Sequence, residues 1–175
     1  MTTTPSPGAK PSPPPINIAK MQPEELMALQ EEARKALADG HSLAENLGVT
    51  ADEIKARFSA VSVLCDKGQF AQALPGALEL LLLTPTDWRS AFLVGTCLQR
   101  QSHPLEAMLF YGWVLAQTEL AAAQFRMGEC SLAAGDASAA LDAFLDVLAN
   151  TADTDPVHKL ASTAAKLLLP TPAAH

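Results

Sequence analysis

The chain has 175 residues, 49% of them hydrophobic and only 18% charged, with a net charge of -7 and a pI near 5. That length suits one domain with a sizeable core, and the apolar excess leaves surface for a partner. The acidic balance excludes a nucleic-acid binder, since nothing supplies the basic stripe that phosphates require, and no apolar run approaches the roughly 18 residues of a membrane span.

Residues 1–22 are rich in Pro, Ser and Thr, run through Pro11 to Pro15, and read as an extended or disordered leader without a secretory signal core. From Pro23 the pattern becomes helical. Glu24 and Glu25 sit at the positive end of the helix dipole, Leu26, Leu29, Ala33, Ala36 and Leu37 share one face, and Gly40 is the expected stop. This N-terminal region, 23–50, either caps the helices downstream of it or contacts a second subunit. A short turn at Leu43 to Leu47 then leads to Thr50 and Glu53, which have capping-box spacing.

From Ala51 to Asp155 a helix-turn-helix unit of about 34 residues, the tetratricopeptide period, occurs three times. Its turns are Lys67-Gly68-Gln69, Gln101-Ser102-His103 and Ala134-Gly135-Asp136. The predicted helices of the first unit are Ala51 to Lys67 and Phe70 to Leu83; the second unit runs from Trp88 to about Leu120 and the third from Ala121 to Thr151. Ser102 replaces the usual Gly, and Pro104 is tolerable only in the first turn of its helix. A last helix, capped by Asp155, continues through Val157, Leu160, Ala164 and Leu167 to Pro170 as a cap (156–170), before a tail, 171–175. The expected fold is all-α, three tetratricopeptide repeats stacked as an α-solenoid between an N-terminal amphipathic helix and a C-terminal capping helix.

Aligning the turns puts Gly95 and Gly128 at one position, where the two helices of a repeat approach closely and a side chain would clash; Val61 fills it in the first repeat. Cys65, Cys97 and Cys130 fall in successive first helices and read as small apolar packing, not as a disulfide frame or zinc site. Phe58, Phe92 and Phe125 share another position, at spacings of 34 and 33. Four and seven residues on, along the same face, come Ser62 and Cys65, Thr96 and Gln99, Glu129 and Leu132. Such a strip suits an extended apolar peptide, with aromatic walls for buried area and polar groups for its backbone. The alternative is that the phenylalanines pack between neighbouring repeats. Lys55, Arg89 and Arg100 are candidates to grip a free carboxylate, but no first helix contains the Asn that such grooves also use.

Nothing points to an enzyme, a metal or a cofactor. His41, His103, His158 and His175 have no Cys or carboxylate at ligand spacing and read as solvated surface residues. No phosphate loop or nucleophile motif is present.

With the repeats placed, the stretch from Gly40 to Leu148 resembles the class II chaperones of bacterial type III secretion systems. The resemblance is carried by Asp39-Gly40-His41-Ser42-Leu43 with Leu47-Gly48-Val49-Thr50, by Asp87-Trp88-Arg89 with Gly95-Thr96-Cys97-Leu98-Gln99, and by Gly128-Glu129-Cys130-Ser131-Leu132. It implies a cytoplasmic chaperone that keeps hydrophobic, pore-forming translocator proteins soluble and unassembled until secretion. An extended client segment would lie in the concave groove, and the N-terminal helix would mediate a homodimer through Leu26, Leu29, Ala33 and Leu37. Only Phe58 keeps the family's aromatic character in the first helix, because Ser62 and Cys65 replace aromatic neighbours. Two other readings stand beside it, a tetratricopeptide scaffold joining two proteins and a needle-subunit chaperone of the same system.

Overall fold

A computed structural model describes residues 20–39 and 42–169, with the backbone alone at Leu37. Residues 1–19 of the leader, the Gly40 stop, His41 and the tail from Pro170 to His175 lie outside the described residues. Among the described residues every regular element is an α-helix: α1 (Pro23–Ala38), α2 (Leu43–Asn46), α3 (Ala51–Asp66), α4 (Phe70–Leu83), α5 (Trp88–Arg100), α6 (Pro104–Gln117), α7 (Ala121–Ala133), α8 (Ala137–Asn150) and α9 (Pro156–Leu168). From α3 onward each helix packs on the next, so three helical hairpins stack in a row with α9 closing the series. This is the expected solenoid of helix pairs.

Local chemistry sets the boundaries. At α3 the Glu53 N–H donates to Thr50 Oγ1 (3.3 Å) and the Thr50 N–H donates to Glu53 Oε2 (2.7 Å), so the capping box forms. Each hairpin turn holds one residue in the left-handed region: Gly68 at φ +72°, Ser102 at +66° and Gly135 at +89°. Around each, the next N–H reaches back to a carbonyl of the last helical turn, as from Gln69 to Leu64 (2.9 Å), His103 to Leu98 (3.0 Å) and Asp136 to Ser131 (2.9 Å). These are Schellman closures, and Ser102 adopts at some strain the backbone that glycine adopts freely.

The glycine contacts explain how the hairpins close. A Cβ at Gly95 would stand 2.9 Å from the Tyr111 ring, and one at Gly128 would stand 2.5 Å from the Phe144 ring. In the first repeat the arrangement is inverted: Val61 is the large partner, Ala77 takes the place of Tyr111, and a Cβ at Gly76 would meet Val61 at 2.8 Å. The buried core runs through all three hairpins, with Leu80 and Val94, Tyr111 and Val114, then Phe144 and Val147 fully or almost fully enclosed. Cys97 and Cys130 belong to it, and Cys65 packs against it with its Sγ 3.8 Å from that of Cys97.

Two sequence expectations need correction. The stripe Val157, Leu160, Ala164, Leu167 is only half a core face: Val157 and Ala164 pack half-buried against the core beside the buried Ala161 and Ala165, while Leu160 and Leu167 are 54% and 82% exposed. Small residues let α9 approach α8 closely, and the leucines are left outside. His158 is not a solvated surface residue either. Its side chain is 17% exposed, with Nδ1 at 3.0 Å from Thr151 Oγ1 and Nε2 at 3.3 Å from Asp153, so it clasps the loop before α9.

At the N-terminus, α1 packs on α2, and α2 touches α4. Leu29 and Ala36 are buried within the single chain, whereas Leu26 and Ala33 are half-buried and Met27 is exposed.

Candidate functional site

The first helices of the repeats, α3, α5 and α7, share one side of the solenoid, and the proposed groove residues lie along them. Phe92 and Phe125 stand five residues after the N-cap of α5 and α7, a register fixed by Asp87 and Leu120. Each ring leans on the aromatic of its own hairpin partner: Phe92 on Tyr111 with centroids 5.6 Å apart, Phe125 on Phe144 at 5.4 Å. Opposite Phe58 the repeat position of Tyr111 and Phe144 is held by Ala77, and the Arg89 guanidinium lies over the Phe58 ring at 5.4 Å. Phe58 and Phe92 are half-buried and Phe125 is buried. Groove wall and core packing are therefore not exclusive here.

Between α5, α7 and α9 lies a cavity of about 330 Å³, lined by Phe92, Phe125, Ala122, Val157, Leu160, Arg100, Arg126 and Glu129. It contains two of the three ladder phenylalanines together with Glu129. Sequence reasoning missed its third wall. Leu160 stands five residues after the α9 cap, Asp155, just as Phe92 and Phe125 stand after theirs, so α9 adds a further rung. Counting from caps instead of aligning turns would have found it.

Beside the cavity, polar side chains bridge the second and third repeats. Tyr111 Oη–H donates to Gln99 Oε1 (2.8 Å), Gln99 Nε2 donates to Glu129 Oε2 (2.9 Å), and Arg126 Nη1 donates to the same oxygen (2.7 Å). Thr96 donates to the Phe92 carbonyl at 2.8 Å. Ser62 and Cys65 are half-buried in the first repeat, and Leu132 is 45% exposed at the far end of α7. The nine predicted positions thus follow one helix face, but the cavity gathers only Phe92, Phe125 and Glu129.

Burial shapes the titration of the core beneath these helices. It pushes the Cys97 thiol up to about 12, with Cys65 adding to the effect, and the Cys130 thiol up to about 11, with the Glu129 carboxylate adding to it. Burial likewise raises the Tyr111 phenol above its ordinary range. All three favour the protonated form in the folded chain, so their contribution is complete below about pH 9, where unfolded thiols are also neutral. It is lost as pH rises from there toward the folded values. Thermal melts followed by circular dichroism should show Tm falling steeply from about pH 9 upward, and less steeply in Cys97→Ala/Cys130→Ala. Equal slopes in the two proteins would remove the thiols as the cause.

No protein-family model matches the chain, and no curated protein matches it significantly. Solved structures do. The Yersinia enterocolitica type III secretion translocator chaperone SycD superposes with a TM-score of 0.66 at 18% identity, over 72% of this chain and 97% of SycD. A type III secretion complex from Aeromonas hydrophila gives 0.68 at 21% identity, over 77% and 91% of the two chains. PcrH, from Pseudomonas aeruginosa, in complex with the chaperone binding region of PopD gives 0.63 at 22% identity, over 69% and 92%. At these identities the likeness establishes a shared fold, over nearly the whole of each similar chain.

Proposed function

We propose that this protein is a chaperone for hydrophobic translocator proteins of a type III secretion system, acting in the bacterial cytoplasm. It holds an extended apolar segment of its client along the first-helix side of the solenoid and so prevents aggregation and early assembly. The observation that carries this reading is the cavity between Phe92, Phe125 and Leu160, a largely apolar recess that the described residues form on that side of the array. Support comes from the fold shared with SycD, described as a translocator chaperone and solved in complex with a peptide of the translocator YopD. Membrane-inserting segments expose apolar patches that aggregate in water, and holding one requires no catalytic group, cofactor or metal. A preformed groove also permits release when the export apparatus competes for the same segment.

The N-terminal helix divides between the two roles open to it. Leu29 and Ala36 are covered by their own chain and act as the cap, while Leu26, Ala33 and the 70% exposed Met27 are what remains for a second subunit.

The test is co-expression with each translocator of the same secretion locus, followed by size exclusion with light scattering, which also reports the subunit count. Wild type should bring one translocator into the soluble fraction, and Phe92→Ala should recover about tenfold less, an anchor loss of roughly 1.4 kcal/mol or more, while keeping its helical spectrum. Phe125→Ala is the poorer probe, because Phe125 is only 8% exposed and its loss will also lower stability. Equal recovery by Phe92→Ala would remove the ladder from the binding site.

A second reading, a scaffold between two proteins, rests on a different surface. Leu105, Leu109 and Trp113, spaced four apart on α6, are 65%, 73% and 39% exposed. If no translocator is solubilised while the free protein stays folded, that outer stripe, or a needle subunit as client, becomes the place to look.

A further inference from the structure

Resting on the groove reading above, we infer that the main anchor pocket of this chain lies at the C-terminal end of the array, between α5, α7 and α9, and that it selects an apolar residue flanked by a carboxylate. At the first repeat the ladder is weak. Phe58 has no aromatic behind it, its exposed face is occupied by Arg89, and Ser62 and Cys65 beside it are small. At the other end Phe92, Phe125, Val157 and Leu160 enclose about 330 Å³, room for one large aliphatic or aromatic side chain and part of its neighbour. Leu160 is 54% exposed although its helix buries Ala161 and Ala165, so the chain holds an apolar group in water at the rim of an apolar recess. That placement gains free energy only when something apolar covers it.

Charge decides what flanks the anchor. Of the charged groups at the rim, Glu129 and Arg126 are paired with one another at 2.7 Å, and Gln99 satisfies the same carboxylate oxygen. Arg100 lines the cavity from the end of α5, exposed, with the Phe70 ring 5.9 Å from its guanidinium carbon. The rim therefore carries one net positive charge on a chain whose net charge is -7. A client carboxylate next to the buried anchor meets a bidentate donor there, whereas a basic neighbour meets a like charge. The chain's own leader is a poor occupant by the same test, because residues 1–22 contain two Lys and no Asp or Glu.

A random dodecapeptide library selected on the full-length protein tests this. Wild type should enrich sequences with Leu, Ile, Met or Phe next to Asp or Glu. Arg100→Glu, a substitution at an exposed position that should keep the helical spectrum by circular dichroism, should enrich Lys or Arg at that place instead. The best wild-type peptide should bind Arg100→Glu about fivefold to tenfold more weakly and recover when its acid is changed to Lys. Leu160→Asp should abolish its binding. If wild type and Arg100→Glu enrich the same peptides, or Leu160→Asp binds them normally, the pocket assignment is wrong while the groove reading survives. If the wild-type protein enriches nothing, the groove reading itself fails and this inference with it.

Discussion

Gly128→Val is expected to lower Tm by roughly 6–12 °C, the equivalent of about 3 kcal/mol in a chain of this size. A Cβ at Gly128 would already stand 2.5 Å from Cε1 and 2.8 Å from Cδ1 of Phe144, a ring that is 1% exposed and itself packed at a 41° tilt against Phe125. The ring cannot turn aside, so α7 and α8 must separate, and the better helix propensity of Val over Gly returns only a few tenths of a kcal/mol. Gly95 faces Tyr111 in the same way at 2.9 Å, which makes Gly95→Val a slightly milder version of the same experiment.

The first repeat supplies the control. There Val61 occupies the position, and the facing helix offers Ala77 and Gly76 in place of an aromatic. Transplanting that pairing as Gly128→Val/Phe144→Ala should therefore cost less than the two single changes added together, by about 1 kcal/mol or more of coupling. Phe144→Ala alone removes a buried ring at about 3–5 kcal/mol, and the added Val side chain fills part of that space. Urea titrations of the four proteins give the cycle; strictly additive costs would mean that the ring is not what Gly128 makes room for.

These contacts also show where reading the sequence succeeds and where it stops. Gly68 and Gly135 mark their turns by a conformation that only glycine adopts cheaply, and Pro104 marks a helix start, so the hairpins and the phase of each first helix were legible from single residues. Gly95 and Gly128 were legible because the repeat supplied three aligned copies. The complementary Gly76 was not, because the small residue had moved to the opposite helix, and only the packed hairpin shows that Val61 and Gly76 exchange roles with Gly95 and Tyr111. Along the candidate site, the recurrence of phenylalanine exposed the ladder at Phe92 and Phe125, but Leu160 breaks the residue type while keeping the register from the cap. On α9 the most deeply buried positions went unread for a related reason: alanines carry almost no hydrophobic signal, yet Ala161 and Ala165 are buried, with Val157 and Ala164 half-buried beside them. His158 was misread because its partners, Thr151 and Asp153, come from a loop whose path no periodicity specifies.

Arg57→Met should cost about 3 kcal/mol, whereas Arg57→Met/Glu79→Leu should be close to neutral. Glu79 lies within the otherwise apolar run of α4, 5% exposed, and accepts a hydrogen bond from Arg57 Nη1 of α3 at 2.8 Å. Removing the guanidinium breaks the 2.8 Å pair from one side and takes its charge away from a buried carboxylate, a change for which losses of roughly 3–5 kcal/mol are typical. The lower end applies because the Arg57 side chain retains 18% exposure and some water reaches the pair. Removing both partners deletes the desolvation cost along with the attraction, and Leu fits the apolar surroundings of the α4 run. Urea unfolding of wild type, both single variants and the double variant measures this directly. A cost below about 1 kcal/mol for Arg57→Met, the value of an exposed surface pair, would show that Glu79 is adequately held by its other neighbours and that the guanidinium is dispensable to the hairpin.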